Sequence, residues 1–176
     1  SDGLILIMPS SVADCRMRMF NLDGSEGMMC GNGVRCVAKY VYDNNIAKKE
    51  RISVETKSGI KYIDVTDVDG KAEYLSVDMG KAELKPRLIP VDDDGEDFIA
   101  REVEVNGVNY VMTCVSMGNP HAVIFTTGID ELDLDEIGPY FENHPLFPER
   151  TNTEFVEVID DHTLKMRVYE RGSGET

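Results

Sequence analysis

The run Met17 to Asp43, MRMFNLDGSEGMMCGNGVRCVAKYVYD, places a cysteine among glycines where extended chain gives way to a helix. Upstream of Cys30, Met17, Met19 and Phe20 close a strand-like stretch, and Asp23, Gly24 and Ser25 read as a turn. Downstream, Val34, Val37, Ala38 and Val41 recur at i, i+3, i+4 and i+7, the spacing of one apolar helix face, so the helix begins close to Cys30. Gly31, Asn32 and Gly33 then occupy its first turn. Glycines there leave backbone N–H groups uncovered, and a small anion can approach them. A thiol at that place faces the positive end of the helix dipole, which favours negative charge on sulfur. This combination puts a reactive thiol beside a place where a small anion can bind.

The other cysteines read as packing. Cys36 is expected in the core side of the helix, and Cys15 and Cys114 lie in strand-like alternation. No CxxC pair or regular spacing suggests zinc or a disulfide framework, which points to a reducing compartment. The formal net charge of -15 argues against a nucleic-acid surface, since phosphate binding needs clustered Lys and Arg. Asp92 to Asp97 (DDDGED) reads as a solvated loop rather than a metal site. The longest apolar run, Leu4 to Met8, is too short to span a bilayer, and no basic leader or cleavage site precedes it.

The elements that must position Cys30 follow from periodicity. Gly3 to Met8 (GLILIM) reads as a buried strand that starts abruptly, and Arg16 and Arg18 alternate with Met17 and Met19 in a second strand. Asn44 and Asn45 close the helix. Ile52 to Thr56, Ile60 to Thr66 and Glu73 to Asp78 alternate around Ser58-Gly59 and Asp69-Gly70, read as hairpin turns. Gly80 to Pro90, with two prolines and no clear period, reads as a linker. Strands over Phe98 to Val105 and Val108 to Val115 flank Asn106-Gly107, and the polar loop Gly118 to His121 precedes the strand AVIF. Asp133 to Asn143 reads as a short helix with Leu134, Ile137 and Phe141 inward, despite Pro139. A hairpin across Asp161-His162 and a glycine-rich end complete the chain. The expected fold is α+β, with one lobe over 1–80 and a second over 81–176.

Sliding the chain by 149 positions puts Met166, Arg167, Val168 and Tyr169 on Met17, Arg18, Met19 and Phe20, and Glu175 on Glu26. On that register the counterpart of Cys30 falls three residues past Thr176, as for a duplicated unit cut off before its second cysteine. FNLDGSEGMMCGNGVRC, SMGNPHAVIF, FPERTNTEFV and YERGSGET, in this order, resemble diaminopimelate epimerase, a family of the PLP-independent, proline-racemase-like superfamily. The resemblance implies two pseudo-symmetric lobes, each a curved, mostly antiparallel sheet around a helix, with the reaction carried out in the cleft between them. It also implies that the chain lacks the start of its first lobe and the end of its second, including the second catalytic cysteine.

The chemistry implied is interconversion of LL- and meso-diaminopimelate, in lysine and peptidoglycan precursor biosynthesis, by a cytoplasmic homodimer that uses no cofactor and no metal. One group removes the α-proton from one face while another returns a proton on the other, so two thiol groups must stand opposed. By resemblance Cys30 is one of them, and the N–H groups of Gly31 and Asn32 receive the α-carboxylate. Glu170 matches a residue near the reacting amino group and Arg171 one near the distal end, while Asn21, Asn119 and Asn152 match amides that hold the distal amino acid moiety. An amide donates and accepts, so it holds ammonium and carboxylate together. Read without the family, Asn119 before Pro120 is a common turn pair, Asn152 a cap or turn residue, and Glu170-Arg171 surface charge. His121 could orient a ligand, but a single turn histidine is more often satisfied by backbone groups, so it is left outside the catalytic set; His144 and His162 read as loop residues. Two alternatives remain open. One is a proline or hydroxyproline racemase of the same superfamily, and the other is a non-catalytic fragment with a structural or weak binding role, since one cysteine cannot serve both faces.

Overall fold

In the computed structural model, which describes residues 3–21 and 24–176, the chain divides into two compact units, Ser1–Gly80 and Lys81–Thr176. Asp23, expected in a turn, lies outside the described residues.

The first unit contains β1 (Gly3–Met8), β2 (Cys15–Asn21), β3 (Glu26–Gly27), α1 (Gly31–Asp43), β4 (Arg51–Thr56), β5 (Gly59–Val68) and β6 (Lys71–Val77). Its sheet runs β1-β2-β4-β5-β6, with β3 on β2. Among the described residues of this unit only β2 and β4 pair in parallel, and α1 lies between them in sequence because parallel neighbours need a crossover. The valine stripe of α1 packs with Cys15, Met17, Ile52, Val54 and Ile63 into one core. Asn44 caps the helix and Asn45 leaves it at φ 56°, which an asparagine tolerates. Asp69 and Gly70, at φ 52° and 80°, make the tight turn between β5 and β6, whereas the β4–β5 turn falls on Lys57 and Ser58, one residue earlier than expected.

Two expectations fail in this unit. β1 is a strand but not a buried one: Leu4 is 56% exposed, because β1 forms the sheet edge and pairs with β2 alone. An unbroken apolar run carries no alternation from which to read a covered face. Cys36 is exposed rather than in the core. It sits two residues from Val34, about 200° around a helix with 3.6 residues per turn, and so on the far side.

The second unit contains β7 (Arg101–Val105), β8 (Val108–Ser116), β9 (Pro120–Phe125), α2 (Leu134–Glu142), β10 (Asn152–Asp160), β11 (Thr163–Glu170) and β12 (Gly174–Glu175), in the sheet order β12-β11-β10-β9-β8-β7. Again a single parallel pair, β9 with β10, is bridged by the unit's helix. The expected linker from Gly80 is instead part of this unit from Lys81 onward. Glu83 and Ser116 exchange backbone hydrogen bonds, and Ile89 and Val91 lie in its core. The strand expected from Phe98 starts only at Arg101, since Ala100 at φ 49° interrupts extended chain. The acidic loop is not merely solvated: Arg87 pairs with Asp92 and Asp94, and Arg101 with Asp93.

α2 is capped by Asp133, whose carboxylate accepts the Glu136 N–H at 3.1 Å. Its Phe141 stacks edge-on against Phe155 and Tyr110. Gly138 lets the helix lie directly on Tyr169, where a Cβ would come within 2.2 Å of the ring. The opposite sheet face follows from register: Phe125, Val156 and Met166 are neighbours in one row, and Val158 and Leu164 in the next. Phe125, Leu164 and Met166 are 60%, 60% and 57% exposed, so this face carries an open apolar patch. The fold is α+β, two mostly antiparallel sheets each with one helix.

Candidate functional site

Cys30 is the N-cap of α1, at φ -137° and ψ 115°. Its carbonyl accepts the Val34 N–H at 2.9 Å, and its Sγ accepts the Gly33 N–H at 3.3 Å. A cap is normally a hydroxyl, carboxylate or amide oxygen, so here the sulfur itself takes that role. With the third N–H turned back onto Sγ, those of Gly31 and Asn32 remain as the forward donors of the helix start. The local sequence makes this possible. At Gly31 a side chain would find only Met79, at 3.9 Å, whereas at Gly33 a Cβ would meet Ile5 Cδ1 at 2.9 Å and the Cys30 Sγ at 3.4 Å. Cys30 is partly exposed. The Asn32 carboxamide oxygen accepts from the Arg35 guanidinium on its own helix, while its backbone N–H stays free of that contact.

Asn21 ends β2 and is exposed. Its Nδ2 donates to the Ser25 hydroxyl at 3.0 Å and its backbone N–H to the Ser25 carbonyl at 2.9 Å, closing the loop that leads to Cys30. Arg18 anchors that loop by donating to both oxygens of Glu26, at 2.8 and 3.1 Å, which holds the Glu26 carboxyl below its usual range.

The remaining cysteines differ from Cys30. Burial pushes the Cys114 thiol up to about 12 and the Cys15 thiol up to about 11, the latter with a further contribution from Asp14. Cys36 lines an open depression with Arg35, Lys39, Glu73, Tyr74 and Leu75, where Lys39 is already paired with Asp43 at 3.2 Å.

In the second unit, Asn119, Asn152, Glu170 and Arg171 gather at one end of the sheet. Asn152, buried at the start of β10, donates from Nδ2 to the Pro120 carbonyl at 3.1 Å, while its Oδ1 accepts the Arg171 N–H at 2.9 Å. It therefore staples the Asn119 loop to the turn after β11. It retains one N–H and one oxygen lone pair for anything else. Arg171 donates from its guanidinium to the Glu149 carbonyl at 2.9 Å, and Glu170 is exposed. Glu142, buried at the end of α2, accepts the Gly172 N–H at 2.9 Å and the Arg150 guanidinium at 3.0 Å. Two consecutive N–H groups of the turn are thus captured by buried side chains from different elements.

His121 is not satisfied by backbone. It lies in β9, with Nδ1 2.5 Å from Glu154 Oε1 and Nε2 3.0 Å from Asn119 Oδ1. Glu154 and Glu142 carry no sequence signal of their own. Glu154 lies two residues beyond Asn152 on a strand and so shares its face, which is the one clue available.

The family model described as diaminopimelate epimerase matches residues 1–85 and 113–176. Diaminopimelate epimerase of Desulfovibrio desulfuricans is 59% identical over 182 residues, and that of Acetivibrio thermocellus 58% over 176; each alignment covers 100% of this chain and 63% of the relative. The enzyme of that name from Methanococcus maripaludis is 53% identical, with 64% of its length covered. Among solved structures, a probable proline racemase from Agrobacterium radiobacter aligns with a TM-score of 0.73 at 12% identity, over 98% of this chain and 55% of that one. A hydroxyproline epimerase from Agrobacterium vitis gives the same score and identity over 54% of its chain. The chain thus spans about 63% of the length of the curated relatives it matches, and the structural likenesses concern the fold.

Proposed function

Because the chain belongs to the diaminopimelate epimerase family, we propose that it carries one catalytic thiol and substrate-selecting side chains of an epimerase acting on diaminopimelate. The observation that carries this reading is Cys30 as the sulfur cap of a glycine-rich helix start, with the N–H groups of Gly31 and Asn32 beside it.

In this reading the Cys30 thiolate takes the α-hydrogen as a proton, becomes a thiol, and leaves the electron pair on carbon and its carboxylate. A thiol on the opposite face then gives its proton to that carbon and becomes a thiolate, so the stereocentre inverts and the pair of sulfurs exchanges roles. Negative charge grows on the α-carboxylate in the transition state, and donors already fixed by a helix start stabilise it without reorganising. Glu170 belongs near the reacting amino group. Asn21, Asn119, Asn152 and Arg171 belong at the distal end, where a ligand lacking ammonium or carboxylate leaves them unpaired.

None of the other three cysteines suits the opposite face. Cys15 and Cys114 are buried in cores with thiols pushed up, and Cys36 is on the outer side of α1. We therefore assign no turnover to the 176-residue chain by itself, and the two-cysteine cycle, the cytoplasmic setting, the homodimer and the role in lysine and peptidoglycan precursor synthesis to the complete enzyme. The identities of 53–59% to diaminopimelate epimerases favour this substrate over proline, since the racemase neighbours share only 12%.

Proton NMR of LL-diaminopimelate in D₂O tests the reading. The folded chain should leave the α-proton signal intact, and conversion to the meso isomer by this chain would refute the assignment. Exchange of proline but not of diaminopimelate would replace the substrate.

A further inference from the structure

Glu154 is an unusual residue to find inside a sheet. It is 7% exposed, and among the described residues its Oε2 has no hydrogen-bond partner, so the 2.5 Å contact with His121 is its one polar attachment. Burying a carboxyl group with so little compensation is costly, which makes a role for that contact worth seeking. His121 passes it on: Nδ1 faces Glu154, and Nε2 faces the Oδ1 of Asn119 at 3.0 Å. An amide oxygen only accepts, so Nε2 must carry a hydrogen. The Nδ1–Oε1 contact then holds one hydrogen, whichever atom it rides on. With Oδ1 occupied by His121, the Nδ2 hydrogens of Asn119 point elsewhere, as donors.

We propose that Glu154 is a positioning residue which, by sharing one hydrogen with His121 Nδ1 while Nε2 keeps its own, fixes the Asn119 carboxamide with its N–H₂ outward, so that this end of the site reads a carboxylate rather than an ammonium group. This rests on the reading that Asn119 meets the distal end of diaminopimelate. If Nε2 were bare and the imidazole carried its only hydrogen on Nδ1, the same contacts would require Asn119 to turn over and present its oxygen.

The test uses the ¹⁵N-labelled 176-residue chain at pH 7 with two variants, Glu154→Leu and Glu154→Gln. A long-range ¹H–¹⁵N spectrum reports which imidazole nitrogen of His121 is protonated, and the side-chain amide signals report Asn119. The unsubstituted chain should show hydrogen on Nε2. Glu154→Leu should mix the tautomers and shift the Asn119 N–H₂ signals, whereas Glu154→Gln, whose amide can donate to Nδ1, should restore both. The rest of each spectrum verifies folding. A bare Nε2 in the unsubstituted chain, or Asn119 signals identical in all three proteins, overturns the proposal.

Titration of the same samples with meso-diaminopimelate and with L-lysine, which lacks the distal carboxylate, reads the consequence. Glu154→Leu should lose roughly 10-fold or more of the preference for diaminopimelate, the size of a hydrogen bond to a charged group. A preference unchanged in Glu154→Leu overturns the proposal and leaves the function standing. No preference in the unsubstituted chain, with the tautomers as expected, instead removes the substrate reading and the carboxylate role with it.

Discussion

Gly138→Ala isolates the contact on which the second unit's helix and its candidate site both depend. In a helix interior this substitution ordinarily stabilises by about 1 kcal/mol, because glycine loses more backbone freedom on folding. Here the new Cβ would lie 2.2 Å from Cδ2, 2.3 Å from Cγ and 2.6 Å from Cε2 of Tyr169. Reaching ordinary contact near 3.4 Å requires the helix or the ring to retreat by about 1.2 Å, and a ring held by a strand in a packed core cannot swing aside as a flexible chain end can. Overpacking of this kind costs roughly 1–3 kcal/mol and occasionally more. Contact with three ring atoms places the cost at or above the upper end, so the net loss is about 2 kcal/mol, or roughly a 30-fold change in the opening equilibrium. Hydrogen exchange read by mass spectrometry suits the measurement, since each unit reports separately. Peptides from β10, β11 and α2 should lose protection, those from Ser1–Gly80 serving as the internal control. Protection equal to or above that of the parent chain would show that Gly138 does not set the approach of α2 to Tyr169.

Other expectations concern single residues. Alkylation of the folded chain with iodoacetamide, mapped by mass spectrometry, should modify Cys30 and Cys36 and spare Cys15 and Cys114; rapid modification of Cys114 without unfolding would contradict its burial. Asn152→Ala should destabilise the second unit by about 2–4 kcal/mol, since it leaves both the Arg171 N–H and the Pro120 carbonyl without their partner, and denaturant titration would show it. Asp14 is held below its usual 3.8: burial pushes it up, but Lys49 and the Ser53 N–H and hydroxyl together pull it further down. Its stabilisation is accordingly present above pH 3.8 and is lost as pH falls through the lower folded value, a dependence that Asp14→Asn should remove from an acid-unfolding curve.

The sequence was most readable where local chemistry decides. Asp133 and Asn143 bracket α2 as cap residues, Asn106-Gly107 and Asp69-Gly70 make their turns, and the valine stripe puts the start of α1 at Cys30. Elsewhere a neighbour distant in sequence decides. The apolar run of β1 gave no sign that it borders a sheet, and Ile89, flanked by prolines that suggested a linker, is held by core contacts with residues far along the chain. Helix phase counted from Val34 puts Cys36 on the outer side. The candidate site divides in the same way. The position of Cys30 follows from its glycines, whereas the contact of His121 with Glu154 joins residues 33 apart through a parallel strand pair, which no local pattern encodes.

The row of Phe125, Val156 and Met166, with Val158 and Leu164 beside it, bears on how the chain behaves in a tube. A water-repelling sheet face favours contact between copies, while a formal charge of -15 keeps them apart. The two effects respond oppositely to salt. At about 0.01 M the repulsion reaches some 30 Å, and at 1 M only about 3 Å, whereas sulfate strengthens apolar association. Light scattering should therefore rise with ammonium sulfate well before the fold is lost, and replacing Met166 or Leu164 with a lysine should postpone that rise even though it reduces the magnitude of the net charge.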